Sequence, residues 1–521
     1  MAAPTVKEQH TDSRTRRVAV RAVRSWWRIP VAVLAGSAIF VASPPRNLWW
    51  LVPFAVAALA LVVRGRRAGA GFGHGLLFGF AAMLPMLGWL QDFLSDQFGP
   101  WPWLGVALVQ AAFFGLAGAG MARVSVLRGA PVWMAAVFLV AEMLRSAIPF
   151  GGFPWGRLAF TQPEGAMTPW AAVGGAGLVT FLVAVVGTAI GEFVARIAGG
   201  RRRLAAPAVL AIAPVALGLA MWPLVGTEAQ EGTAKVAVVQ GNAPDVGLDL
   251  LYEDDVLRDN HMRALRDLAD DVRAGQVQRP DVVVLPEQVG SWGPQRSDPE
   301  LAAATADLGV PVVVGGLGRD ADGEIRNRIL AWEPERGPTQ DYVKRHLVPF
   351  AEAIPLRPLA SMVTPFVDRF PQDMVAGDRP GVFDVGGAKI GLGLCFDVAY
   401  DDVFLGAARE GATMFAVPTN NAWYGRSEMS YQHLAMSQFR AVEHGRAVVV
   451  AATSGVSAII DPDGTLRQQT RQFTPDVLVA DVPLRSSTTP ATVVGSVPAY
   501  VLATIGVAAL LWTFRRRTAA N

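Results

Sequence analysis

Three residues that could act together in covalent catalysis are spread over the second half of the chain. Cys395, the only cysteine, ends the run Lys389-Ile-Gly-Leu-Gly-Leu-Cys-Phe-Asp397, whose alternating glycines suit a strand that leads into a tight turn. A nucleophile on such a turn is exposed at a strand end, where backbone N–H groups can stabilise an oxyanion. Taken alone, an isolated cysteine is more often an inert buried thiol, so this assignment depends on its neighbours.

Glu287 and Lys344 supply the other chemical groups. Glu287 directly follows the strand-like run Val282-Val-Val-Leu-Pro, and Lys344 lies in a stretch, 342–355, that mixes basic, aromatic and proline residues. Each of them alone is more simply a solvated surface charge. Together with Cys395 they can do more: a carboxylate can accept the thiol proton, an ammonium favours the thiolate and the developing oxyanion, and a covalent step divides one acyl transfer into two.

The elements around these residues indicate an α/β domain. Apolar runs typical of strands alternate with helical periodicity between residues 234 and 486, and the charge density there is that of a soluble domain. The pattern leaves open whether the sheet is doubly wound or a β-sandwich flanked by helices. Strands are predicted at 235–242, 281–285, 310–315, 328–332, 389–394, 413–417, 447–452 and 458–461, and helices at 253–274, 298–308, 400–410 and 430–443.

Residues 1–225 have the composition of a membrane protein. The whole chain is 52% hydrophobic and 17% charged, and its apolar stretches are concentrated in this part. A cleavable signal peptide fits poorly, because no small-x-small site follows the first apolar segment and further spans come after it. Eight spans are predicted, the first two of them short, at about 29–43, 48–63, 71–93, 102–122, 131–149, 169–195, 205–225 and 497–514.

The arginine runs predict the orientation. With a cytoplasmic N-terminus, nineteen Lys and Arg fall in cytoplasmic segments, whereas the outer short loops hold only Arg46 and Arg157. Positive charge in short loops stays inside. We therefore expect a multi-pass protein of the cell membrane, with both termini cytoplasmic, a bundle at 1–225, an extracytoplasmic domain at 226–496 between spans 7 and 8, and a last span with a basic tail at 497–521.

Composition also limits the cofactors and partners. A single cysteine excludes an intramolecular disulfide, and six histidines without metal-binding spacing argue against a metal centre. The net charge of +2 comes mainly from arginine runs beside apolar segments, which does not indicate a nucleic-acid surface. We expect no metal, no other cofactor and no nucleic-acid partner.

The order and separation of the three residues resemble the Glu-Lys-Cys triad of the nitrilase superfamily. Glu follows Leu-Pro, Lys opens Lys-x-His-Leu-Val-Pro-Phe-x-Glu, and Cys follows Gly-Leu-Gly-Leu. The resemblance implies a four-layer αββα fold in which Cys395 forms a thioester, Glu287 is the general base and Lys344 stabilises the oxyanion.

Further features resemble the apolipoprotein N-acyltransferases of bacteria, the membrane-embedded branch of that superfamily. They are the eight spans with the domain before the last, Gly152-Phe-Pro-Trp155 in an outer loop, Val239-Gln-Gly-Asn242, and the segment 418–425. Glu352 matches a second important family carboxylate. Phe396 and Asp397 depart from the family pattern, in which an aromatic hydroxyl and a Glu commonly follow the nucleophile.

The resemblance implies transfer of an acyl chain from a membrane phospholipid, through a cysteine thioester, to the α-amino group of the S-diacylglyceryl cysteine that begins an apolipoprotein. The partners would be that phospholipid, that apolipoprotein and the bilayer. A membrane-anchored amidase that hydrolyses a small amide is the first alternative, and a non-catalytic lipid-binding scaffold is the second.

Glu142 and Arg145 share a face of one span, either as a structural ion pair or as a functional site.

Overall fold

The fold was analysed in a computed structural model, which describes residues 26–245, 254–363, 367 and 372–518. The segment 1–25, which carries six of the seven basic residues expected at the cytoplasmic N-terminus, and residues 519–521 of the basic tail lie outside the described residues.

The first part of the chain is a bundle of apolar helices. Small residues let neighbouring helices approach closely, as between Gly71 and Gly118, where a Cβ added to either residue would meet the carbonyl oxygen of the other within 2.4 Å. The helices are α1 Arg28–Ala42, α2 Leu51–Val63, α3 Ala68–Met86, α4 Trp89–Phe98, α5 Trp101–Val124, α6 Ala130–Arg145, α7 Ala171–Ala198 and α8 Ala205–Met221.

Five helices among the described residues are long and apolar enough to cross a membrane: Ala68–Met86, Trp101–Val124, Thr168–Ala198, Ala205–Leu224 and Val497–Arg515. The helices α1 and α2 are apolar but shorter. A helix lies at each of the eight places where a span is predicted from the sequence. The count of eight spans stays a prediction, because length and composition identify five.

The third predicted span, 71–93, differs from the structure. Helix α3 contains Pro85 in its last turn and ends at Met86. A separate helix, α4, begins at Trp89, inside the predicted span, and continues into the predicted outer loop. Proline lacks the N–H that an interior helix position donates, which favours a break near it. The break lets Trp89 and Phe93 pack against Tyr424 of the second domain.

The second domain contains two mixed sheets, and every strand predicted from the sequence is found. The strands are β1 Thr233–Gln240, β2 Val282–Val284, β3 Gly290–Trp292, β4 Val312–Arg319, β5 Ile325–Glu333, β6 Gly337–Val343, β7 Gly381–Val385, β8 Ala388–Leu392, β9 Met414–Thr419, β10 Val448–Ala452, β11 Ala458–Ile460, β12 Leu466–Gln469 and β13 Asp476–Pro483. The first sheet has the order β13-β1-β2-β4-β5-β6, with β3 paired to β4, and the second has the order β12-β11-β10-β9-β8-β7.

Helices cover the outer faces of both sheets, which gives four layers. The two sheets pack face to face through side chains such as Val238 and Ile390. This settles the alternative left open by the sequence in favour of a sandwich flanked by helices. The remaining helices of the described chain are α9 Asp254–Arg273, α10 Pro299–Leu308, α11 Arg357–Val363, α12 Asp401–Arg409, α13 Met429–His444, α14 Pro490–Val494 and α15 Val497–Thr518, and α15 packs against the bundle.

The fourth layer joins the domain to the bundle. Helices α12 and α13 cover the second sheet, and α13 also packs against α7. Buried side chains of α13, such as Phe439, belong to the same continuous apolar core as Phe160 and the bundle helices. The two parts of the molecule therefore share a core, and the side of the domain that carries Cys395 faces the bundle.

Candidate active site

Cys395 begins a short 3₁₀ turn, Cys395–Ala399, that follows β8 and leads into α12. Its φ of +50° places it in the left-handed region, which costs a non-glycine residue conformational energy and is common at functional turns. The side chain is 7% exposed. The predicted strand-to-turn placement of this residue is present.

The carboxylate of Asp397 holds this turn in place. Its Oδ2 accepts hydrogen bonds from the Tyr342 hydroxyl at 2.7 Å and the Leu394 N–H at 3.0 Å, and its Oδ1 accepts one from the His346 N–H at 2.9 Å. Asp397 is completely buried. The sequence singled out this position only as a departure from the family pattern, whereas in the structure its side chain joins the turn to β6 and to the loop that follows.

Glu287 lies at the carboxyl end of β2, where the first sheet meets the second. Its Oε1 accepts hydrogen bonds from the Asn327 amide at 2.7 Å and the Lys344 ammonium at 3.3 Å. Its Oε2 accepts one from the Asn420 N–H at 2.8 Å, just beyond β9. Three donors thus fix a buried carboxylate at the meeting point of parallel strands from both sheets.

Lys344 follows β6 and lies between two carboxylates. Its Nζ is 3.3 Å from Glu287 Oε1 and 3.0 Å from Glu352 Oε1, and the side chain is 1% exposed. Asn327 donates to both carboxylates, to Glu352 at 2.6 Å, and so links them. The Val348 N–H donates to the other oxygen of Glu352 at 2.8 Å. Lys344, Glu287 and Glu352 thus form one buried cluster, and all three lie close enough to Cys395 to act electrostatically on its thiol.

Burial controls the protonation of this cluster. It raises the pKa of the Cys395 thiol to about 12; the Glu287 carboxylate adds to the rise, and Lys344 and Thr419 oppose it. Burial alone would lower the pKa of Lys344, but Glu287 and Glu352 hold it well above its usual value. The resting site therefore pairs a neutral thiol with a charged ammonium. The sequence led us to expect that the ammonium would favour the thiolate, but burial has the larger effect on the pKa of the thiol.

The sequence missed two side chains of the site. Asn327 lies in β5 between Arg326 and Arg328, and no motif in the sequence marks it. The Nε2–H of His433 on α13 donates to the Cys395 carbonyl oxygen at 3.0 Å, and burial lowers the pKa of this imidazole to about 4, so it is neutral.

Aromatic rings from the bundle form the wall beside the nucleophile. Phe396 packs against Phe153 and Trp155 of the loop between α6 and α7, with ring centroids 5.9 and 6.4 Å away. The hydroxyl of Tyr400 donates to the Gly152 carbonyl oxygen at 3.1 Å. The Gly152-Phe-Pro-Trp155 motif is therefore a contact between the bundle and the nucleophile turn.

Glu142 and Arg145 support that loop. They lie 3.9 Å apart, and the Arg145 guanidinium donates to the carbonyl oxygens of Phe153 at 3.1 Å and Trp155 at 2.6 Å. Glu142 accepts a hydrogen bond from the Leu158 N–H at 3.0 Å. The pair is structural in its contacts, but what it holds in place is the wall of the site.

Family models match both parts of the chain. The Apolipoprotein N-acyltransferase N-terminal domain matches residues 35–189, and Carbon-nitrogen hydrolase matches residues 274–489. The Apolipoprotein N-acyltransferase of Mycolicibacterium smegmatis is 37% identical over 509 residues, which cover 93% of this chain and 84% of that protein. The chain belongs to the apolipoprotein N-acyltransferase family. The resemblance noted in the sequence is confirmed, and with it the enzyme class, an acyltransferase.

Other similar proteins include the Apolipoprotein N-acyltransferase of Chromobacterium violaceum, which is 30% identical over 511 residues that cover 93% of this chain and 94% of that protein. Solved structures similar to the acyltransferase chain include a mutant of the Nesterenkonia AN1 amidase from the nitrilase superfamily, at 21% identity, covering 50% of this chain and 94% of that chain, with a TM-score of 0.36. Another is Nit3 of Saccharomyces cerevisiae, at 17% identity, covering 52% of this chain and 97% of that chain, with a TM-score of 0.37.

Proposed function

We propose that the chain transfers a fatty acyl group from a membrane phospholipid, through a thioester on Cys395, to the α-amino group of an apolipoprotein's N-terminal S-diacylglyceryl cysteine. One observation carries the proposal. Lys344 pairs with Glu287 and Glu352 in a buried cluster that acts electrostatically on the Cys395 thiol, and a loop of the membrane bundle packs against the turn that carries this thiol. Such a site has a nucleophile, a base and an electrophilic stabiliser, which covalent acyl transfer requires.

In the first half-reaction, the Cys395 sulfur attacks the ester carbonyl of the phospholipid. A thiol with a pKa of about 12 is neutral at rest, so its proton passes to Glu287 as the new bond forms. Lys344 stabilises the negative charge that develops on the carbonyl oxygen. The ester C–O bond breaks, the proton on Glu287 goes to the departing alkoxide, and a lysophospholipid leaves while the acyl group stays as a thioester.

In the second half-reaction, the acceptor amine attacks the thioester. Glu287 accepts a proton from the amine, the C–S bond breaks, and the thiolate regains its proton, which leaves an N-acylated apolipoprotein and free Cys395. Glu352 keeps Lys344 in place through both steps, because its Oε1 lies 3.0 Å from the ammonium and its Oε2 is anchored on the Val348 N–H. No step requires a metal or another cofactor.

Water exclusion favours transfer over hydrolysis. The thiol is 7% exposed, and Phe396, Phe153 and Trp155 surround the turn with apolar rings. A thioester in such surroundings is shielded from water until an amine arrives. Both proposed substrates carry lipid chains, so a site beside the bundle lets them reach it by diffusing along the membrane.

We also propose that eight spans place both termini in the cytoplasm and residues 226–496 outside it, as a catalytic domain between the bundle at 1–225 and the segment 497–521. The distribution of Lys and Arg in short loops supports this orientation. A reporter that is active only outside the cytoplasm should be active when fused in the 226–233 linker and inactive when fused after Asn521. The reverse pattern would place the site on the wrong side for these substrates.

The acyl transfer is tested by the mass of the protein. Purified protein mixed with phospholipid alone should gain one acyl group, which hydroxylamine removes and which a diacylglyceryl peptide with a free amine also removes. Cys395→Ala serves as the control and should gain none, because it lacks the sulfur that forms the thioester. Rapid release of free fatty acid without an acceptor would indicate a hydrolase, and transfer of the acyl group by Cys395→Ala would exclude the thioester mechanism.

A further inference from the structure

A chain of charges, in which the arginines are buried and Asp401 is partly exposed, connects the bundle to the nucleophile turn. Arg157 lies in the loop after α6, and its Nη1 donates to Asp401 Oδ1 at 2.7 Å. The Nε of Arg157 lies 3.6 Å from Glu142 Oε1 on α6. Arg157 and Glu142 are 5% and 4% exposed. A cation held between carboxylates from two parts of the molecule thus ties α6 to the start of α12.

Arg440 continues this chain to the turn itself. Its Nη2 donates to Asp401 Oδ1 at 3.0 Å, and it therefore shares that oxygen with Arg157. Its Nε donates to the Val398 carbonyl oxygen at 2.9 Å, and its Nη2 also donates to that of Ala399 at 3.1 Å. Those two carbonyl groups end the 3₁₀ turn that Cys395 begins, so Arg440 holds the far end of the nucleophile turn.

A second bundle helix contacts the same guanidinium through Glu443. This residue forms an ion pair with Arg440, and its Oε1 accepts a hydrogen bond from the Ala176 N–H on α7 at 3.3 Å. Helix α7 is kinked at Gly174 and Gly175, and Gly175 has a φ of +68°. A Cβ at Gly175 would lie 2.6 Å from Glu443 Oε1, so the kink leaves space for the carboxylate.

The Asp401 carboxylate in this chain is ionised. Burial alone would raise the pKa of Asp401, but Arg157 and Arg440 together bring it down to about 2. Removing the carboxylate or changing its position would leave a buried guanidinium without its counter-charge, which is costly. Since Asp401 is shared by both guanidinium groups, the loss of Arg157 would also change the position of Arg440.

We propose that Arg157 and Arg440 are positioning residues that transmit the arrangement of the membrane helices to the Cys395 turn. Arg157 links α6 to Asp401, and Arg440 fixes the carbonyl groups that close the turn. The thiol is thereby held at a fixed position relative to an acyl donor that approaches along the bundle. The identity of the acyl donor rests on the proposed function, whereas the positioning of the turn does not.

The test compares Arg157→Gln with Arg157→Lys. Arg157→Gln should lower the maximal rate of Cys395 acylation by phospholipid roughly ten- to a hundredfold, with little change in the phospholipid concentration that gives half this rate, because a shift of the nucleophile acts on reaction geometry rather than on binding. Arg157→Lys, which keeps the charge, should recover most of the rate. A combined Arg157→Gln and Asp401→Asn variant should lose no more than the worse single variant.

Arg64→Gln is the matched control for general loss of stability. Arg64 forms an ion pair with the buried Glu192 at the other end of α7, far from the turn. This variant should lower the melting temperature without changing the acylation rate per folded molecule. The positioning role is overturned if Arg157→Gln acylates at the wild-type rate. It is also overturned if Arg157→Lys is as slow as Arg157→Gln while both variants have the melting temperature of the wild type.

Alkylation of Cys395 by iodoacetamide separates this proposal from the proposed function, because it needs no lipid. If the wild type fails to take up an acyl group, the proposed function fails. A change of at least threefold in alkylation rate in Arg157→Gln, restored by Arg157→Lys, would then still support positioning of the turn. Identical alkylation rates in the wild type and Arg157→Gln would refute it.

Discussion

Two clusters of alternating charge adjoin the Cys395 turn, one from the side of the sheets and one from the side of the bundle, and both pair basic side chains with carboxylates. On the side of the sheets, Lys344 lies between Glu287 and Glu352. On the side of the bundle, Arg157 and Arg440 share the carboxylate of Asp401. Both clusters are linked to surrounding elements by hydrogen bonds, yet their cations make different contacts.

The difference lies in the partners of the cations. The ammonium of Lys344 contacts carboxylates, whereas the guanidinium of Arg440 also donates to the carbonyl oxygens of Val398 and Ala399. An ammonium is a compact charge that can serve an oxyanion as it develops, and a guanidinium is a rigid fork that fixes the groups it contacts. This difference agrees with the two proposals, in which the Lys344 cluster takes part in the chemistry and the Arg157–Arg440 cluster positions the nucleophile.

The pH dependence of Cys395 reactivity tests the first half of this comparison and has the largest expected effect. Because burial and Glu287 raise the pKa of the thiol to about 12, the thiolate is scarce at pH 8. Iodoacetamide should therefore alkylate Cys395 about a thousandfold more slowly than an exposed thiol, with a rate that rises about tenfold per pH unit through pH 10. Cys395 is the only cysteine, so the part of the mass shift that is absent from Cys395→Ala reports it.

A plateau of the alkylation rate at or below pH 8 would contradict this prediction. It would mean that Lys344 has already produced the thiolate in the resting site. The cluster on the side of the sheets would then act by ionising the nucleophile in advance, and Glu287 would not be needed to accept its proton.

Exchanging the cations tests the comparison itself. Lys344→Arg should lower the acylation rate at least ~100-fold, because a larger planar group cannot occupy the buried space between Glu287 and Glu352 with its charge at one point. Arg440→Lys should lower it roughly tenfold, since an ammonium keeps the charge but loses the fork to the Val398 and Ala399 carbonyl oxygens. The measurement is the rate of acyl uptake followed by intact mass.

Exposed pairs provide the controls for these exchanges. Lys235 pairs with Asp481 at 2.7 Å on the surface of the first sheet, and Arg273 lies between two exposed aspartates. Lys235→Arg and Arg273→Lys should leave the rate unchanged, because exposed ion pairs contribute little. If Lys344→Arg acylates as fast as Lys235→Arg, the distinction between a compact ammonium and a planar guanidinium does not apply to this site.

The sequence predicted the inner strands of the domain better than the edge strands. The buried β1, β2 and β9 read as apolar runs, and every strand predicted in this way is present. The strand β6, Gly337–Val343, carries Thr, Gln and Asp, leaves most of its residues partly exposed, and forms through backbone pairing with β5. Register with a neighbour, which no local pattern encodes, defines such a strand.

The residues of the candidate site were predicted from their resemblance to a known triad, and the contacts between them were not. Glu287 and Lys344 are 57 residues apart and meet because β2 and β6 belong to one sheet. The bridging role of Asn327 depends on the distance between two carboxylates, which the sequence does not contain. The same applies to Arg157, counted in the sequence only as an outer-loop charge.

The bundle shows where local signals are sufficient and where they fail. Apolar length located a helix at each predicted span, but the end of α3 at Met86 and the new start at Trp89 were missed. Hydropathy remains high across this break, since Leu87, Trp89 and Leu90 continue the apolar pattern. Pro85 is a local signal of this break, and the packing of Trp89 against Trp155 and Tyr424 shows why the chain turns there.

The last prediction concerns Asp397, which belongs to neither cluster but holds the turn between them. Its carboxylate accepts hydrogen bonds from the Tyr342 hydroxyl, the Leu394 N–H and the His346 N–H. An asparagine has one acceptor oxygen and would direct its NH₂ group at one or more of these donors. Asp397→Asn should therefore lower the free energy of unfolding by about 2 kcal/mol, and Tyr342→Phe, which removes one donor, by about 1 kcal/mol.

Thermal unfolding in one detergent measures both variants against the wild type. The two residues share a hydrogen bond of 2.7 Å, so the double variant should lose less than the two single losses added together. Fully additive losses would show that Asp397 and Tyr342 stabilise the domain separately. Asp397 would then be an ordinary buried polar residue, and the two charge clusters would have to hold the turn without a clamp between them.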